Sequence, residues 1–277
     1  MTEEQVTSKE ERRMFFEMFK KKCYVDLSKK VELPPVAIGC GTYISKRSNG
    51  LKKIDIPLCT YGNFSFIQAP PKSLKTFFVS LLTSAYVSND CEYRGKLKSF
   101  RKDEHIVHFD TEQGMYHSQR VMQRTQRMNP QIDVRSFYHT YALRELGYTS
   151  RIEFIEACLE DLKADGKTIG LVIIDGVADL VSEANNQIES NEIVQKLMTW
   201  TTVFNCHIIT VIHSNFGSDK PTGHLGSFLE KKTETQIELK FDSMTGKTMV
   251  KCKRSRNIPF EEFYFYLDDK QLPKYYE

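Results

Sequence analysis

Residues 65–85, SFIQAPPKSLKTFFVSLLTSA, decide the fold of this chain. They begin with an apolar strand pattern, pass through a short polar loop and continue into a long apolar helix. The loop ends in Lys75 and Thr76, the pair that closes the phosphate-binding pattern GxxxxGK[ST]. In that pattern, glycines let backbone N–H groups face the phosphate oxygens while the lysine neutralises their charge. The stretch therefore predicts a strand, a phosphate loop and a helix.

The loop departs from the pattern because Ala69 and Leu74 stand where the two glycines belong. The two prolines that follow Ala69 contribute no N–H donors. A positive φ at Leu74 would cost about 1 kcal/mol or more, whereas Lys72 adds a second positive charge. A helix that merely begins with a lysine is the alternative interpretation. The predicted nucleotide-contacting residues are Lys72, Ser73, Leu74, Lys75, Thr76 and Phe77.

A more literal version of the pattern, FDSMTGKT, occurs at residues 241–248. It contains Gly246, Lys247 and Thr248, but it lies between two stretches of alternating apolar and polar residues, and no helix pattern follows it. The residues from Asp242 to Gly246 are typical of a hairpin turn. We therefore predict a turn at this second segment and no phosphate site.

The pattern from about residue 60 alternates strands and helices, which predicts an α/β fold with a mostly parallel sheet flanked by helices. Alternating residues at the C-terminus predict antiparallel strands that extend this sheet. The predicted elements are Phe64–Gln68, Thr76–Val87, His105–Asp110, 116–128, Arg151–Lys163, Gly170–Asp175, Glu192–Phe204 and His207–His213. Upstream, a capping-box pattern at Ser8 predicts a helix over residues 8–25, and residues 26–60 read as irregular. We thus divide the chain into an N-terminal helical arm with a linker, 1–57, and one domain, 58–277.

The composition is that of an ordinary globular protein, with 40% hydrophobic and 27% charged residues in 277. A net charge of +3 is compatible with nucleic-acid binding but does not demand it. The seven cysteines are scattered and never spaced as CxxC, so neither a zinc site nor a disulfide framework is expected. No apolar run reaches the roughly 18 residues of a membrane span, and the N-terminus has no signal pattern. We expect a cytoplasmic protein.

Acidic residues follow two of the predicted strands, at the edge of the sheet where ligands of such folds bind. LVIIDG places Asp175 at the end of a buried strand, where a carboxylate suits Mg²⁺ beside the hydroxyl of Thr76. Capping of the following turn is the alternative for Asp175. HIVHFDTEQ ends in Asp110 and then Glu112, whose carboxylate could orient and deprotonate an attacking water. A solvated loop acid is the alternative there.

The order of these motifs resembles a RecA-like P-loop ATPase core. It is similar in particular to the replicative-helicase and RepA-type hexameric ATPases of plasmids, phages and mobilisable elements. The resemblance covers roughly residues 58–267. It implies that Lys75 holds the β- and γ-phosphates of ATP, that Thr76 and Asp175 hold Mg²⁺, and that Glu112 activates water.

The same resemblance implies roles for three residues further along the chain. In IITVIHSN, His213 occupies the place of the residue that senses the γ-phosphate. In KCKRSRNIPF, Arg254 or Arg256 occupies the place of an arginine finger that reaches a neighbour's nucleotide. The active form would then be a homo-oligomer, with the hexameric ring of that family as the expected form.

Two basic segments are further candidates for contacts with DNA. Residues 214–235 resemble the family's channel-facing segment, from which Lys231 and Lys232 would contact phosphates without reading sequence. A mobile surface loop is the alternative for this segment. Three arginines on one face of residues 120–127 would contact nucleic acid or a neighbouring subunit, or would simply be solvated.

The leading hypothesis is an ATP-hydrolysing, helicase-like oligomer that acts on single-stranded DNA with low sequence specificity, in the replication or mobilisation of a mobile element. The second is a RecA-fold module that binds DNA or protein without hydrolysing ATP. The missing glycines favour the second hypothesis, whereas the joint presence of Lys75, Glu112 and Asp175 argues against it. A small-molecule kinase is a third, weaker option, since no Arg-rich lid lies between the phosphate-loop helix and the acids of HIVHFDTEQ, although residues 91–104 are basic.

Overall fold

The chain forms two compact units of unequal size, Met1–Leu33 and Pro34–Glu277. The computed structural model describes residues 9–47, 50–88, 93–215 and 218–276. In the first unit, helix α1 (Lys9–Cys23) lies within the helix predicted for residues 8–25. Ser8, its expected capping residue, lies outside the described residues. The second unit begins upstream of residue 58, where the sequence places the start of the α/β domain.

Two long strands at the start of the second unit correct the irregular segment predicted for residues 26–60. Strands β1 (Val36–Arg47) and β2 (Gly50–Thr60) pair antiparallel. With β4 (Tyr93–Arg94) and β5 (Leu97–Ser99), they form a four-stranded sheet in the order β2-β1-β5-β4.

Glycine and proline misled the sequence-based prediction because they occupy irregular positions inside these strands rather than ending them. Gly39 pairs with Pro57, and shifts of register flank this pair on both sides. Such bulges are where strands tolerate glycine and proline. Gly41 adopts a φ of 76° within the same irregular stretch.

A nine-stranded sheet forms the centre of the second unit, in the order β13-β12-β11-β10-β3-β9-β8-β6-β7. Its strands are β3 (Phe64–Ala69), β6 (His105–Asp110), β7 (Tyr138–Ala142), β8 (Ile169–Asp175), β9 (His207–His213), β10 (Thr235–Asp242), β11 (Lys247–Ser255), β12 (Phe263–Leu267) and β13 (Pro273–Tyr276). The six strands from β10 to β7 in this order run parallel, and β10 to β13 form an antiparallel meander. The predicted fold class is therefore confirmed.

Helices cover both faces of this sheet because its parallel strands are apolar on both sides. The helices are α2 (Lys75–Ser88), α3 (Met115–Met128), α4 (Tyr148–Ala164), α5 (Gln187–Phe204) and α6 (Gly223–Lys232). The first two pack on one face of the sheet, and the last three pack on the other. Among the described residues, no helix is both long and apolar enough to cross a membrane.

Helix α6 corrects the prediction of one continuous loop over residues 214–235, of which 216 and 217 lie outside the described residues. Leu225 and Leu229, one helical turn apart, are buried in the core that α4 and α5 also line. Gly223 begins the helix with a φ of 66°, and a Cβ there would lie 2.3 Å from the carbonyl oxygen of Ala184. The helix was missed because its apolar residues are too few to stand out among the glycines and lysines.

Candidate functional site

The loop between β3 and α2 crosses the carboxyl edge of the sheet without a glycine. Lys72 has a φ of 62° and Leu74 a φ of 59°, which is the left-handed conformation that glycine adopts without steric cost. For a residue other than glycine, the left-handed conformation raises the free energy by about 1–2 kcal/mol per residue. The partly buried Leu74 side chain packs against the core and offsets some of that cost. The loop is thus curled as a phosphate loop must be, through strained residues rather than glycines.

Backbone N–H groups at the start of α2 are open to a ligand. The carbonyl oxygen of Leu74 accepts from the N–H groups of Phe77 and Phe78, both at 3.0 Å, so the first helical turn is formed. Among the described residues, no protein oxygen accepts from the N–H of Ser73, Leu74 or Lys75. Unpaired N–H groups at a helix N-terminus, together with the helix dipole, favour an anion such as phosphate.

Side chains from three elements form one hydrogen-bonded chain at this edge. The Lys75 Nζ lies 3.0 Å from His213 Nδ1 and 3.1 Å from the carbonyl oxygen of Pro70. His213 Nε2 lies 3.1 Å from Glu112 Oε1. Because a lysine ammonium only donates, Nδ1 accepts from Lys75. The proton of the neutral ring is then on Nε2, which donates to Glu112.

Burial and charge act differently on the two ends of this chain. Burial lowers the pKa of Lys75, while the carboxylates of Glu112 and Asp175 oppose that shift. The hydrogen bond from His213 lowers the pKa of Glu112, although burial acts in the opposite direction. Glu112 is therefore an ionised carboxylate near neutral pH, as a group that accepts a proton from water must be.

Asp175 ends β8 with an unpaired oxygen. Its side chain is buried, and within the described part of the chain its Oδ2 has no hydrogen-bond partner. Burial, together with the nearby carboxylates of Asp110 and Glu112, raises the pKa of Asp175 to about 8, and Lys75 opposes the shift. An orphaned carboxyl oxygen beside other acids is an environment that a bound cation would relieve.

The residues at this point fit Mg²⁺ together with a phosphate rather than a complete protein cage. Besides the carboxylate of Asp175, the Thr76 hydroxyl would supply a second oxygen to the metal ion. Gln113 Nε2 lies 3.5 Å from this hydroxyl. Among the described residues, no three His, Cys, Asp or Glu side chains converge on a metal position. Mg²⁺ commonly takes one or two protein oxygens and completes its octahedron with phosphate oxygens and water. Thr76 and Asp175 would supply these two protein oxygens.

Asp110 has a structural role that the sequence analysis did not identify. Its carboxylate accepts from the N–H of Gln113 at 2.8 Å, from the N–H of Glu112 at 3.2 Å and from the hydroxyl of Ser118 at 2.9 Å. These bonds hold the loop that carries Glu112 to the start of α3. An Asp side chain commonly accepts from the backbone N–H groups two and three residues later. The Asp that begins DTEQ is the signal from which this cap could have been predicted.

Arg254 and Arg256 do not join the site of their own chain. Through β10, Arg254 lies level with Phe66, three residues before the end of β3. It is therefore set back from the loop by about 10 Å along the strand direction, and it lies two strands to the side. Its guanidinium is 4.0 Å from Glu230, and Arg256 donates to the carbonyl oxygen of Lys232 at 2.9 Å. An action of either arginine on a neighbour's nucleotide stays a prediction.

Of the three arginines on the face of residues 120–127, Arg124 is packed, whereas Arg120 and Arg127 are exposed. Arg124 Nε donates to the Ser80 hydroxyl at 3.1 Å, and its guanidinium lies 4.1 Å from the centre of the Phe77 ring. Burial, followed by the charge of Arg120, lowers the pKa of Arg124 to about 10. Arg124 thus holds α3 against α2, directly behind the phosphate loop.

Comparison with known proteins supports the assignment of the fold. Residues 46–219 match the family model AAA_25, an AAA domain, and this segment contains Lys75, Glu112, Asp175 and His213. No curated protein matches the sequence. The crystal structure of the RadB recombinase is similar in fold, with a TM-score of 0.55 and 16% identity over 78% of this chain and 92% of that chain. The chain therefore belongs to the AAA_25 family of AAA domains and has the fold of a RecA-like P-loop ATPase.

Proposed function

We propose that this protein is an ATP-hydrolysing, DNA-dependent oligomer of the helicase-like class, serving the replication or mobilisation of a mobile element in the cytoplasm. In this proposal residues 58–277 carry the ATPase site, and β1 with most of β2, upstream of residue 58, belong to the same compact unit. The observation that supports it best is the chain Lys75–His213–Glu112 at the loop, beside the orphaned oxygen of Asp175. Each of these residue types has a part in phosphoryl transfer to water.

The first step is binding of the phosphates at the loop. The N–H groups of Ser73, Leu74 and Lys75 would donate to phosphate oxygens, and the Lys75 ammonium would exchange Pro70 and His213 for them. Exposed Lys72 adds charge at the mouth of the loop. His213 Nδ1 would then lose its hydrogen bond from Lys75, so the contacts of the ring would change when phosphate binds.

Proton removal from the attacking water falls to Glu112. Thr76 and Asp175 would hold Mg²⁺, which supplies charge stabilisation to the phosphates. Glu112 would take the proton of the water on its carboxylate, and the His213 N–H keeps that carboxylate ionised. Asp110 keeps Glu112 in place through the backbone bonds of the loop.

The partners in this proposal are a second copy of the chain and DNA. Arg254 or Arg256 would complete a neighbour's site, which makes the active form an oligomer and a hexameric ring the expected one. Lys231 and Lys232 lie in the last turn of α6 and are exposed, as phosphate contacts must be. The resemblance to ring ATPases supports this assignment of partners.

The test is binding of Mg·ATP by calorimetry to the wild type and to Lys75→Ala, with phosphate release followed with and without single-stranded DNA. Loss of a charged hydrogen-bond donor weakens binding by at least about 10-fold. Lys102→Ala is the control, because Lys102 is exposed and precedes β6, at the edge of the sheet opposite to the loop. Equal affinity in wild type and Lys75→Ala would disprove the assignment of the site.

A second candidate function is a nucleotide-free module of the same fold. The strained φ angles of Lys72 and Leu74, and a loop in which Lys75 already binds Pro70, favour it. Thermal unfolding separates the two, since a bound nucleotide must raise the melting temperature by mass action. No shift at millimolar Mg·ATP would leave only the second function.

A further inference from the structure

The antiparallel strands β10 to β13 have one buried face and one exposed face. Leu239, Val250, Phe263 and Phe265 point into the core. On the opposite face, the strand pairing aligns residues in two continuous cross-strand rows. The first row is Lys240, Met249, Tyr264 and Tyr276, and the second is Asp242, Lys247, Tyr266 and Lys274. We call these two rows the outer face.

Three tyrosines of the outer face lie outside the core. The exposed fractions of Tyr264, Tyr266 and Tyr276 are 37%, 38% and 49%. Tyr264 is paired directly with Tyr276, and Tyr266 follows two residues later on the same side. Such neighbours lie about 5 to 7 Å apart. A groove of about 440 Å³ between β10 and β13 is lined by Tyr264 and Tyr276 but not by Tyr266.

The charge of the outer face is positive. Lys247 Nζ lies 3.2 Å from the centre of the Tyr276 ring. Lys274, in the same row as Lys247, is exposed, and Lys251 is exposed four residues further along β11. Glu238 is buried between two lysines, and Asp242 accepts hydrogen bonds from the turn that follows it. Two exposed acids also contact this face: Asp219 pairs with Lys240 at 3.1 Å, and Glu262 accepts from the Tyr264 hydroxyl at 3.2 Å. A polyanion with flat apolar groups is the ligand that complements this surface.

We propose that the outer face binds single-stranded nucleic acid. Unpaired bases stack on Tyr264, Tyr266 and Tyr276, and Lys247 and Lys274 contact the phosphates between them. Aromatic rings on a sheet surface, interspersed with cations, bind bases with little sequence preference because every base offers a flat face. A second copy of the chain fits less well, because like faces would oppose lysine to lysine.

This surface is separate from the nucleotide site and does not depend on ATP hydrolysis. Lys247 and Lys274 lie on strands at the far side of the sheet from β8 and β6, which carry Asp175 and Glu112. The proposal names a nucleic-acid surface for the proposed function, and it holds equally for a module that does not hydrolyse ATP. It adds a surface on the sheet to the phosphate contacts proposed for Lys231 and Lys232 of α6.

The experiment is fluorescence anisotropy with labelled oligo-dT, oligo-U and an abasic strand of equal length, without nucleotide and at several salt concentrations. We expect oligo-dT to bind and the abasic strand to bind far more weakly. The double variant Tyr264→Ala/Tyr266→Ala should weaken binding by on the order of 10-fold per ring, whereas the Phe/Phe double variant retains it. Lys247→Gln should reduce the slope of log K against log salt by about 0.7.

Tyr24→Ala is the matched control, because Tyr24 is an exposed tyrosine of the first unit. Comparison of oligo-dT with oligo-U decides between DNA and RNA as the source of the bases. Failure of the wild type to bind, equal binding of the abasic strand, or unchanged affinity in the Ala/Ala variant would each overturn the proposal. Loss of self-association in that variant, with nucleic-acid affinity unchanged, would assign the face to a second copy.

The outcome is independent of the nucleotide site. Lys75→Ala should bind oligo-dT as the wild type does, and the tyrosine variants should bind Mg·ATP as the wild type does. A defect in Mg·ATP binding confined to Lys75→Ala therefore tests the ATPase. A defect in oligonucleotide binding confined to the tyrosine variants tests the outer face.

Discussion

Two segments of this chain contain a lysine–threonine pair after a turn or loop, and they form different structures. The hairpin turn before Lys247 contains the glycine of the phosphate pattern, with a φ of 68° at Gly246. The loop before Lys75 has no glycine, yet Lys72 and Leu74 adopt the same left-handed conformation. Only the loop leads from a parallel strand into a helix. The strand and helix around the pair, rather than the glycine, decide where phosphate can bind.

The two segments also differ in how their polar groups are satisfied. In the turn, Asp242 accepts from the N–H of Met244 at 2.9 Å, from the Thr245 hydroxyl at 2.7 Å and, through its carbonyl oxygen, from the N–H of Gly246 at 2.9 Å. In the loop, the N–H groups that begin α2 are left open. A turn is stable because it satisfies its own groups, whereas a binding site keeps donors and strain for a ligand.

The largest expected effect concerns the chemistry assigned to the loop. Glu112→Gln should lower phosphate release by about 10²- to 10⁴-fold, because the amide cannot accept the proton of water. Affinity for Mg·ATP should stay close to that of the wild type, since Glu112 contacts His213 rather than the loop N–H groups. Steady-state phosphate release and calorimetry measure the two quantities. A variant with unimpaired release would move the chemistry elsewhere.

The next effect is on the pH dependence of stability. The pKa of Asp175 rises from 3.8 to about 8 on folding, so between these values the native chain holds a proton that the unfolded chain has lost. The free energy of unfolding therefore falls as pH rises through this window, by up to about 1.4 kcal/mol per pH unit. Asp175→Asn should flatten this dependence, as measured by urea unfolding at a series of pH values without Mg²⁺.

Asp103→Asn, at an exposed acid away from the site, is the control for that series. It should leave the pH profile unchanged. A profile of Asp175→Asn that runs parallel to the wild type would show that the buried carboxyl does not hold its proton, and the fit to Mg²⁺ would lose its main support.

A smaller effect is expected in the hairpin turn. Gly246→Ala should reduce the free energy of unfolding by about 1 kcal/mol, because the left-handed conformation disfavours a Cβ even though nothing lies within 4 Å of it. Mg·ATP affinity should not change. Gly147→Ala, with equally open surroundings and a φ of −69°, is the matched control in urea unfolding. A change in nucleotide affinity in Gly246→Ala would contradict the contrast between the two segments.

The smallest effect is expected at Lys72. Lys72→Gly relieves the strain at a φ of 62°, but the added freedom of the unfolded chain offsets most of that gain. The free energy of unfolding should thus change by less than about 1 kcal/mol. Affinity for Mg·ATP should fall through the lost charge, though less than in Lys75→Ala. An equal loss in the two variants would mean that the loop needs Lys72 as much as Lys75.

Local pattern was sufficient for the elements nearest the site. The apolar runs before Ala69, Asp110, Asp175 and His213 predicted four parallel strands whose ends meet at one edge, and the structure has all four there. Periodicity also predicted α4. The strands β1 and β2 were not predicted because bulges place glycine and proline inside them. Helix α6 was not predicted because its buried side chains in the core are only two leucines.

The sequence by itself determined which residue types reach the carboxyl edge of the sheet, because a buried parallel strand must end where its apolar run ends. Only the tertiary structure decided how they interact. His213 bridges Lys75 and Glu112, Asp175 keeps an unpaired oxygen, and Tyr264, Tyr266 and Tyr276 face outward. These outcomes depend on strand register and on the side from which each helix packs, and both are set by contacts between residues far apart in the chain.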